Sequence, residues 1–238
     1  MGKLRLGTLL CIEGLAHWGS TYRETTLGSG ISMCKHAGLN EYLPCIRGQY
    51  VKGLLRRWCE SLAPLLLGRN IIKTRDIVSK IFGPSVLSNY DKVRPTSLPS
   101  RIYVGDAYPV KSAKHAEELF KEGVFAYLID NDSRIIKVGT ELVTRVRIDD
   151  VSGRAAEGAL YHEVKVPLGA LLYFELIVKD LSNDELIDLA RLLLLSLTQL
   201  NISSPGRSGT VASVKVVGLE PENLLQDDVI KEIIRWLR

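Results

Sequence analysis

The segment LPCIRGQYVKGLLRR, residues 43–57, decides the fold, because a strand-like run changes there into a helical pattern. Cations and a glycine lie at the start of that pattern: Arg47, Gly48, Lys52, Arg56 and Arg57. Backbone N–H groups at a helix start attract anions, and these side chains add positive charge beside them. The segment is not a P-loop, since Leu54 stands where magnesium binding needs a hydroxyl. It predicts a site for a polyanion, and a solvated helix face is the alternative.

A second loop with similar chemistry lies near the end of the chain, after Ser203-Ser204-Pro205. Its glycine-rich part consists of Gly206, Arg207, Ser208 and Gly209. Glycine lets the backbone approach a ligand closely, and the arginine supplies positive charge in the middle of the loop. We therefore expect the two segments to contribute to one binding site.

Length and composition indicate a folded protein with a local charged surface. The chain has 238 residues, of which 46% are hydrophobic, so it can bury a substantial core. Lysine and arginine total 31 against 27 acidic residues, which gives a net charge of +4. This excess is mild, so any nucleic-acid surface must occupy only part of the molecule.

Cysteine spacing and hydrophobicity predict the compartment. Cys11, Cys34, Cys45 and Cys59 lack the close Cys-x-x-Cys pair of a zinc knuckle, so we expect no metal site. The first residues lead straight into a strand pattern instead of an apolar signal core, and the run Leu192–Leu195 is too short to span a bilayer. We therefore expect a cytoplasmic protein with reduced thiols and no membrane contact.

Strand and helix patterns alternate along the chain. The predicted elements are strands over 4–12, 101–107, 124–129, 141–149, 170–178 and 210–217, helices over 49–67, 77–82, 112–121, 183–200 and 223–238, and a long loop over 16–43. We expect Asn183 or Asp184 to cap the helix that they precede. The interleaving predicts an α+β fold with a ferredoxin-like (RRM-like) palm, with or without a duplication.

The alternation over Glu141–Asp149 predicts a strand that enters a hairpin. The tip of this hairpin would hold residues 150–158, and the chain would return through Leu160, Tyr161 and His162. Aromatic side chains in strands commonly pack on a neighbouring element, whereas stacking on an unpaired base is the functional alternative.

Four blocks of the sequence together resemble the RAMP superfamily of CRISPR-associated proteins, in particular the repeated backbone subunit of type III effector complexes. The blocks, in the family's order, are residues 44–56, residues 81–83 with 97–107, residues 144–163 and residues 206–209. The resemblance implies a single RAMP domain over residues 1–238, with a ferredoxin-like palm and a protruding β-hairpin thumb over about 148–163. It further implies antiviral defence, and copies that stack head to tail along a guide RNA, beside target RNA and other effector subunits.

The resemblance also assigns residues to RNA contacts. Lys52 and Arg56 would face guide phosphates, and the loop at 206–209 would lie beside the RNA. In the family the thumb wedges between bases at regular intervals. The side chains here whose chemistry suits that role are Arg154, Leu160, Tyr161 and His162.

Catalysis is the point at which the sequence departs from the target-cutting members of the family. Those members carry an aspartate after the first strand in a Gly-Ile-Asp-like context, and the nearest match here is Gly30-Ile31-Ser32. Serine cannot hold a cation or take a proton as a carboxylate does, so we expect binding without cleavage and no cofactor.

Three alternatives remain open from the sequence. The first is a magnesium-dependent target endoribonuclease with a displaced carboxylate, Glu24 or Glu41, and the second is a metal-independent guide-processing endoribonuclease that uses His17 or His36. The third is a structural protein that contacts proteins alone.

The last predicted helix has an apolar face. We expect this face to pack either on the body of the protein or on a neighbouring subunit.

Overall fold

The computed structural model of the protein describes residues 2–16, 18, 32–66, 71–83, 99–129, 134–148, 152, 154–201 and 212–237. The strands are β1 Gly2–Ile12, β2 Met33–His36, β3 Glu41–Pro44, β4 Ile102–Val104, β5 Tyr108–Pro109, β6 Glu141–Ile148, β7 Ala155–Lys165, β8 Leu171–Leu181 and β9 Ala212–Glu220. The helices are α1 Gly48–Leu66, α2 Ile71–Phe82, α3 Ala113–Glu122, α4 Ala126–Ile129, α5 Asn183–Thr198 and α6 Asp228–Trp236. No helix in these ranges is long and apolar enough to cross a membrane.

An antiparallel sheet forms the centre of the molecule. Its strand order is β4-β8-β1-β9, and the short β5 pairs with another part of β8. The β2–β3 hairpin and helices α1 and α2 lie between β1 and β4 in the chain, and α5 lies between β8 and β9. The expected α+β class is therefore confirmed. The ferredoxin-like subtype and its duplication stay predictions.

One face of the sheet carries the larger hydrophobic core. Even-numbered residues of β1 point to this face because side chains alternate along a strand. Helix α1 contributes Val51, Leu55, Cys59 and Ala63, which recur every four residues along one side and are all buried. Full burial of one leucine stabilises the fold by about 1.5–3 kcal/mol, so this packing fixes α1 on the sheet.

The opposite face of the sheet packs on α3, α4 and the hairpin formed by β2 and β3. Leu9, Leu43 and Tyr173 belong to this second core cluster. Phe120 of α3 lies directly on the sheet, where a Cβ atom added at Gly7 would come within 2.6 Å of its ring. Gly218 leaves room for the same ring. Two glycines therefore allow the close approach of α3.

The prediction of a strand over 124–129 is wrong. The chain forms the short helix α4 there, after Gly123 with φ 144° and Phe125 with φ 54°. These positive φ values turn the chain away from an extended path. Tyr127 is fully buried, and its hydroxyl donates to the Asp106 carbonyl at 3.0 Å. Burial of this aromatic side chain prevails over the strand propensity of the segment.

The structure also corrects the starts of three helices. Ser182, not Asn183 or Asp184, caps α5, because its hydroxyl and Glu185 form a capping box. The second helix begins at Ile71 and is longer than the predicted 77–82. At the end of the chain a 3-10 turn over Glu222–Gln226 precedes α6, whose apolar residues pack on the body of the protein.

The long loop predicted over 16–43 contains a hairpin. Strands β2 and β3 pair from Met33 with Pro44 to His36 with Glu41. Cys34 and Cys45 form a disulfide at one end of this hairpin, so the expectation of reduced thiols is wrong for this pair. Cys59 is free and buried, as its position in the apolar stripe of α1 predicts.

Candidate nucleic-acid interface

The first residue of α1 lies against β4. The Gly48 N–H donates to the Asp106 carboxylate at 2.7 Å. A Cβ atom at this position would overlap the Val104 carbonyl oxygen and approach the Gly105 carbonyl oxygen to 2.8 Å. Glycine is therefore required for the packing of α1 on β4. Because Asp106 already accepts a hydrogen bond at this helix start, its carboxylate occupies part of the predicted anion site.

Lys52 lies one turn further along α1 and reaches inward. Its ammonium group donates to the Ser100 hydroxyl at 2.6 Å and to the Ile102 carbonyl at 3.3 Å. Burial lowers the pKa of Lys52, and the charge of Arg56 lowers this pKa further. Positive charge is thus concentrated here under partial desolvation. A phosphate group beside the two side chains would relieve their repulsion.

The remaining cations of the helix differ in their partners. Arg56 pairs with Glu60 one turn later, with 2.8 Å between Nε and Oε1. Such an i, i+4 pair on a helix surface contributes only about 0.3–0.5 kcal/mol to stability. The side chains of Arg47 and Arg57 are exposed. The predicted cationic segment therefore lies at the surface, except for the ammonium group of Lys52.

Strands β6 and β7 form the hairpin that corresponds to the expected thumb. They pair as a sheet of their own, and β6 begins at Glu141, where the alternation of the sequence predicts a strand. Arg154 lies near the tip and is exposed. His162 faces Thr144 across the strands, with 2.9 Å between Nδ1 and the threonine hydroxyl. The backbones of Leu160 and Tyr161 lie in β7, and their side chains are outside the description.

Several predicted site residues lie outside the described residues. They are His17, Glu24, Gly206, Arg207, Ser208 and Gly209. The expected meeting of the glycine-rich loop with the start of α1 therefore stays a prediction.

The other candidate catalytic residues differ in burial. His36 is fully buried, and both of its ring nitrogens are bonded, Nε2 with the Tyr127 carbonyl at 2.6 Å and Nδ1 with the Leu39 N–H at 3.2 Å. No ring nitrogen of His36 is left for a substrate. Glu41 is exposed on β3. The described residues hold no cluster of His, Cys, Asp or Glu that fits a metal ion.

Ser32, which belongs to the nearest match to the aspartate motif of the target-cutting members, is buried. Its N–H donates to the Trp18 carbonyl at 3.1 Å, and its own carbonyl accepts from the Cys45 N–H at 3.0 Å. The backbone around Ser32 is thus held next to the segment that leads into α1.

Sequence reasoning missed a buried ionic cluster around Arg5. The guanidinium donates from Nε to the Glu175 carboxylate at 2.8 Å, and further to Glu220 at 3.0 Å and to the Phe120 and Gly123 carbonyls. The Tyr173 hydroxyl donates to the second Glu175 oxygen at 2.9 Å. An arginine inside an apolar strand was the available signal. The sequence does not show that Glu175 and Glu220 bind Arg5, because both lie far from it along the chain.

Comparison with solved structures finds the same fold in subunits of CRISPR complexes. A chain of a type IV-B CRISPR complex superimposes with a TM-score of 0.57 at 14% identity, covering 89% of this chain and 90% of that one. A chain of the type III-B Cmr-beta complex bound to cognate target RNA gives 0.55 at 16% identity, covering 92% of this chain and 60% of that one. A chain of the type III-B Cmr-beta complex in the apo state superimposes with a TM-score of 0.55 at 13% identity, covering 92% of this chain and 98% of that one.

Sequence comparison gives a more direct assignment. No curated protein sequence matches the chain. A family model for the RAMP superfamily matches residues 17–209, which include α1, the central strands β4 and β8, and the β6–β7 hairpin. The protein belongs to the RAMP superfamily.

Proposed function

We propose that the protein is a backbone subunit of a CRISPR effector complex of type III or a related type, and that it holds guide-RNA phosphates at the start of α1. The observation that carries this proposal is the concentration of cations there, in which Arg47 and Arg57 are exposed and Lys52 and Arg56 lie between them in sequence. Membership of the RAMP superfamily, and a fold shared with chains of type III-B and type IV-B complexes, support it.

The cations would act mainly through charge. Phosphate contacts carry no sequence information, so one subunit could hold any guide sequence. Each neutralised phosphate releases counterions, and the affinity for single-stranded RNA therefore falls with salt by a slope of about 0.7 per contact. Head-to-tail copies would repeat this contact along the guide.

The β6–β7 hairpin would separate bases at intervals along the guide–target duplex. Its position as a separate two-stranded sheet supports this role, since a projecting hairpin can reach beyond the main sheet. The exposed Arg154 near its tip is suited to contact a base or a phosphate. In this proposal the complex acts on target RNA in the cytoplasm during antiviral defence.

We propose further that this subunit binds RNA without cutting it and needs no metal for that role. A serine at position 32 lacks the carboxylate that magnesium-dependent cleavage requires. Incubation of the protein with guide and labelled target, with and without magnesium, tests this point. Cleavage that needs magnesium would favour a displaced carboxylate such as Glu24 or Glu41, and cleavage without a metal would favour His17.

RNA binding is tested by fluorescence anisotropy of labelled single-stranded RNA over a salt series. We expect tight, salt-sensitive binding by the wild-type protein. The double variant Arg47→Ala/Arg57→Ala removes two exposed cations, one just before α1 and one within it. It should lower the salt slope by about 1.4, at 0.7 for each lost contact. Loss of affinity without a change in slope would contradict the phosphate contact.

A matched control is available on α6. Lys231→Ala/Arg235→Ala also removes two exposed cations, which pair with Asp228 and Glu232 on their own helix. Its salt slope should equal that of the wild type. An equal decrease in both double variants would mean that binding follows net charge and not the α1 site. Failure of the wild type to bind RNA would reject the proposed function.

A further inference from the structure

One block of the RAMP resemblance consists of two segments, residues 81–83 and 97–107, to which the function proposed above assigns no RNA contact. The structure joins them: the Ile81 carbonyl accepts from the Arg101 N–H at 2.9 Å and from the Ser100 hydroxyl at 3.0 Å. The end of α2 is thereby fixed to the residues that precede β4. Ser100 also accepts the hydrogen bond from Lys52, so α1 meets the same corner.

A cleft of about 230 Å³ opens at this corner, at the edge of the sheet. Its charged lining consists of Lys80 from α2, Arg101 before β4, and Lys179 and Asp180 at the end of β8. Three cations and one acidic residue line the cleft, and Lys80 and Arg101 also border the neighbouring pocket that Glu185 and Asp188 line. Arg101 is oriented by a hydrogen bond from its guanidinium to the Asp180 carbonyl at 3.0 Å.

An aromatic side chain completes the cleft. Tyr103 of β4 is 53% exposed although it lies in the middle of a strand. The Lys179 ammonium lies 5.2 Å from the centre of its ring. A large exposed ring flanked by cations is the combination with which proteins bind single-stranded nucleic acid, since bases stack on the ring and phosphates pair with the cations.

The backbone of the cleft is held in place independently of any ligand. Tyr103 pairs with Ile177 in the sheet, and the Lys179 N–H donates to the Arg101 carbonyl at 3.2 Å. The backbones that carry the ring and two of the cations are thus fixed to each other. A site on paired strands needs little rearrangement to bind.

We propose that this cleft, the Tyr103 cleft, is a second contact for single-stranded RNA, in which one base stacks on Tyr103 and the adjoining phosphates pair with Lys80, Arg101 and Lys179. The proposal rests on the proposed function, because it assigns a further contact to the same RNA. Lys52 connects the two contacts, since its ammonium group binds Ser100 in the wall of the cleft. A strand that follows α1 would therefore continue into the Tyr103 cleft.

The experiment compares two RNA probes on the full-length protein: a single-stranded uridine polymer and an abasic ribose-phosphate polymer of the same length. Tyr103→Leu should weaken binding of the uridine polymer about tenfold and leave binding of the abasic polymer unchanged, because stacking needs a base. Tyr42→Leu replaces another exposed tyrosine, on β3, and should change neither affinity.

The cations are tested in the same assay. Lys80→Ala/Lys179→Ala should weaken binding of both polymers and lower the salt slope by about 1.4, at about 0.7 per contact. Unchanged melting temperatures of the variants would show that they remain folded. An acidic probe, polyglutamate, should compete poorly with RNA at equal charge. Equal competition by polyglutamate would overturn the assignment to RNA in favour of an acidic protein segment.

The outcomes separate this inference from the proposed function. If wild-type protein binds RNA but Tyr103→Leu binds the uridine polymer as tightly as wild type, the Tyr103 cleft is rejected and the α1 contact stands. Equal weakening of both polymers by Tyr103→Leu would reject stacking. If the wild-type protein binds neither polymer, both proposals fail.

Discussion

One row of residues crosses four strands of the central sheet and has two different ends. In register, Glu220 of β9 is opposite Arg5 of β1, Arg5 is opposite Ile177 of β8, and Ile177 is opposite Tyr103 of β4. Directly opposed residues share a face of the sheet, and strands lie about 4.8 Å apart, so Arg5 and Tyr103 are separated by about 10 Å. Their environments nevertheless differ completely.

At one end the cation is enclosed. Arg5 is 2% exposed, binds two carboxylates, and lies under the Phe120 ring at 4.0 Å from its centre. At the other end, around Tyr103, Lys80 and Lys179 are exposed to solvent, and together with the half-buried Arg101 they border a cleft. A cation that is enclosed by protein acceptors stabilises a fold, whereas cations that line an open cleft are available to a ligand. The Arg5 cluster is therefore structural and the Tyr103 cleft is the candidate site.

The largest expected effect is at the enclosed end. Glu175→Gln removes the charge that neutralises Arg5 inside the protein, and loss of one partner of a buried ion pair costs about 3–5 kcal/mol. We expect a decrease of this size in the free energy of unfolding in urea. Glu220→Gln removes the half-exposed partner and should cost about 1 kcal/mol or less. Equal costs for the two variants would show that enclosure does not decide the strength of the pair.

A smaller loss of stability is expected when the Phe120 ring, which covers Arg5, is displaced. The Cβ atom introduced by Gly218→Ala would overlap the Phe120 ring. Overpacking of this kind costs about 1–3 kcal/mol, and displacement of the ring also exposes Arg5. Chemical denaturation measures the change. Gly53→Ala is the control, because a Cβ at Gly53 meets nothing within 4 Å and alanine favours a helix. The free energy of unfolding of this control variant should equal or exceed that of the wild type.

At the open end, substitutions should leave stability almost unchanged. Lys179→Ala removes an exposed side chain, and surface changes of this kind stay within about 0.5 kcal/mol. Thermal melting of this variant should match that of the wild type. A loss of several kcal/mol would mean that the pairing of Lys179 with Tyr103 holds the sheet edge together, and the contrast between the two ends would disappear.

The last prediction concerns Lys52, whose burial is intermediate between that of Arg5 and that of Lys179. Its pKa in the folded protein lies below the ordinary value of 10.5, so the unfolded chain binds more protons between these two values. The stability of the wild type should therefore rise with pH in that window relative to Lys52→Met. Unfolding free energies of both proteins, measured from neutral pH towards pH 10.5, give this difference. A difference that stays constant or falls would contradict the partial desolvation of Lys52.

Periodicity predicted the main elements well. The strand pattern of β1, the apolar stripe of α1 and the alternation in β6 lie within a few residues of the observed bounds, because each depends on local spacing. Caps were harder. Ser182, Asn183 and Asp184 all suit a helix cap, and Glu185, placed three residues after Ser182, selects among them. The strand predicted at 124–129 failed because Tyr127 is buried by contacts with distant residues.

The candidate site was predictable in its residue types and not in its contacts. The cations near the start of α1 are visible in the sequence, but Ser100, the partner of Lys52, lies 48 residues away. The Tyr103 cleft assembles residues from α2, β4 and β8, and none of these carries a local signal of its own. Such a constellation appears only once the sheet register is known.

The base of the β6–β7 hairpin is joined to the end of β1 by main-chain hydrogen bonds and by buried side chains of the larger core. Ala16 and Val166 exchange two such bonds, and Ile12 and Gly169 lie in the same short ladder. Peptide groups and the buried side chains of Ile12, Ala16 and Val166 together anchor the hairpin at its base. Substitutions farther along the hairpin can change its contacts and leave this anchor intact. The contact specificity of the hairpin can therefore diverge between related proteins while its attachment to the body is preserved.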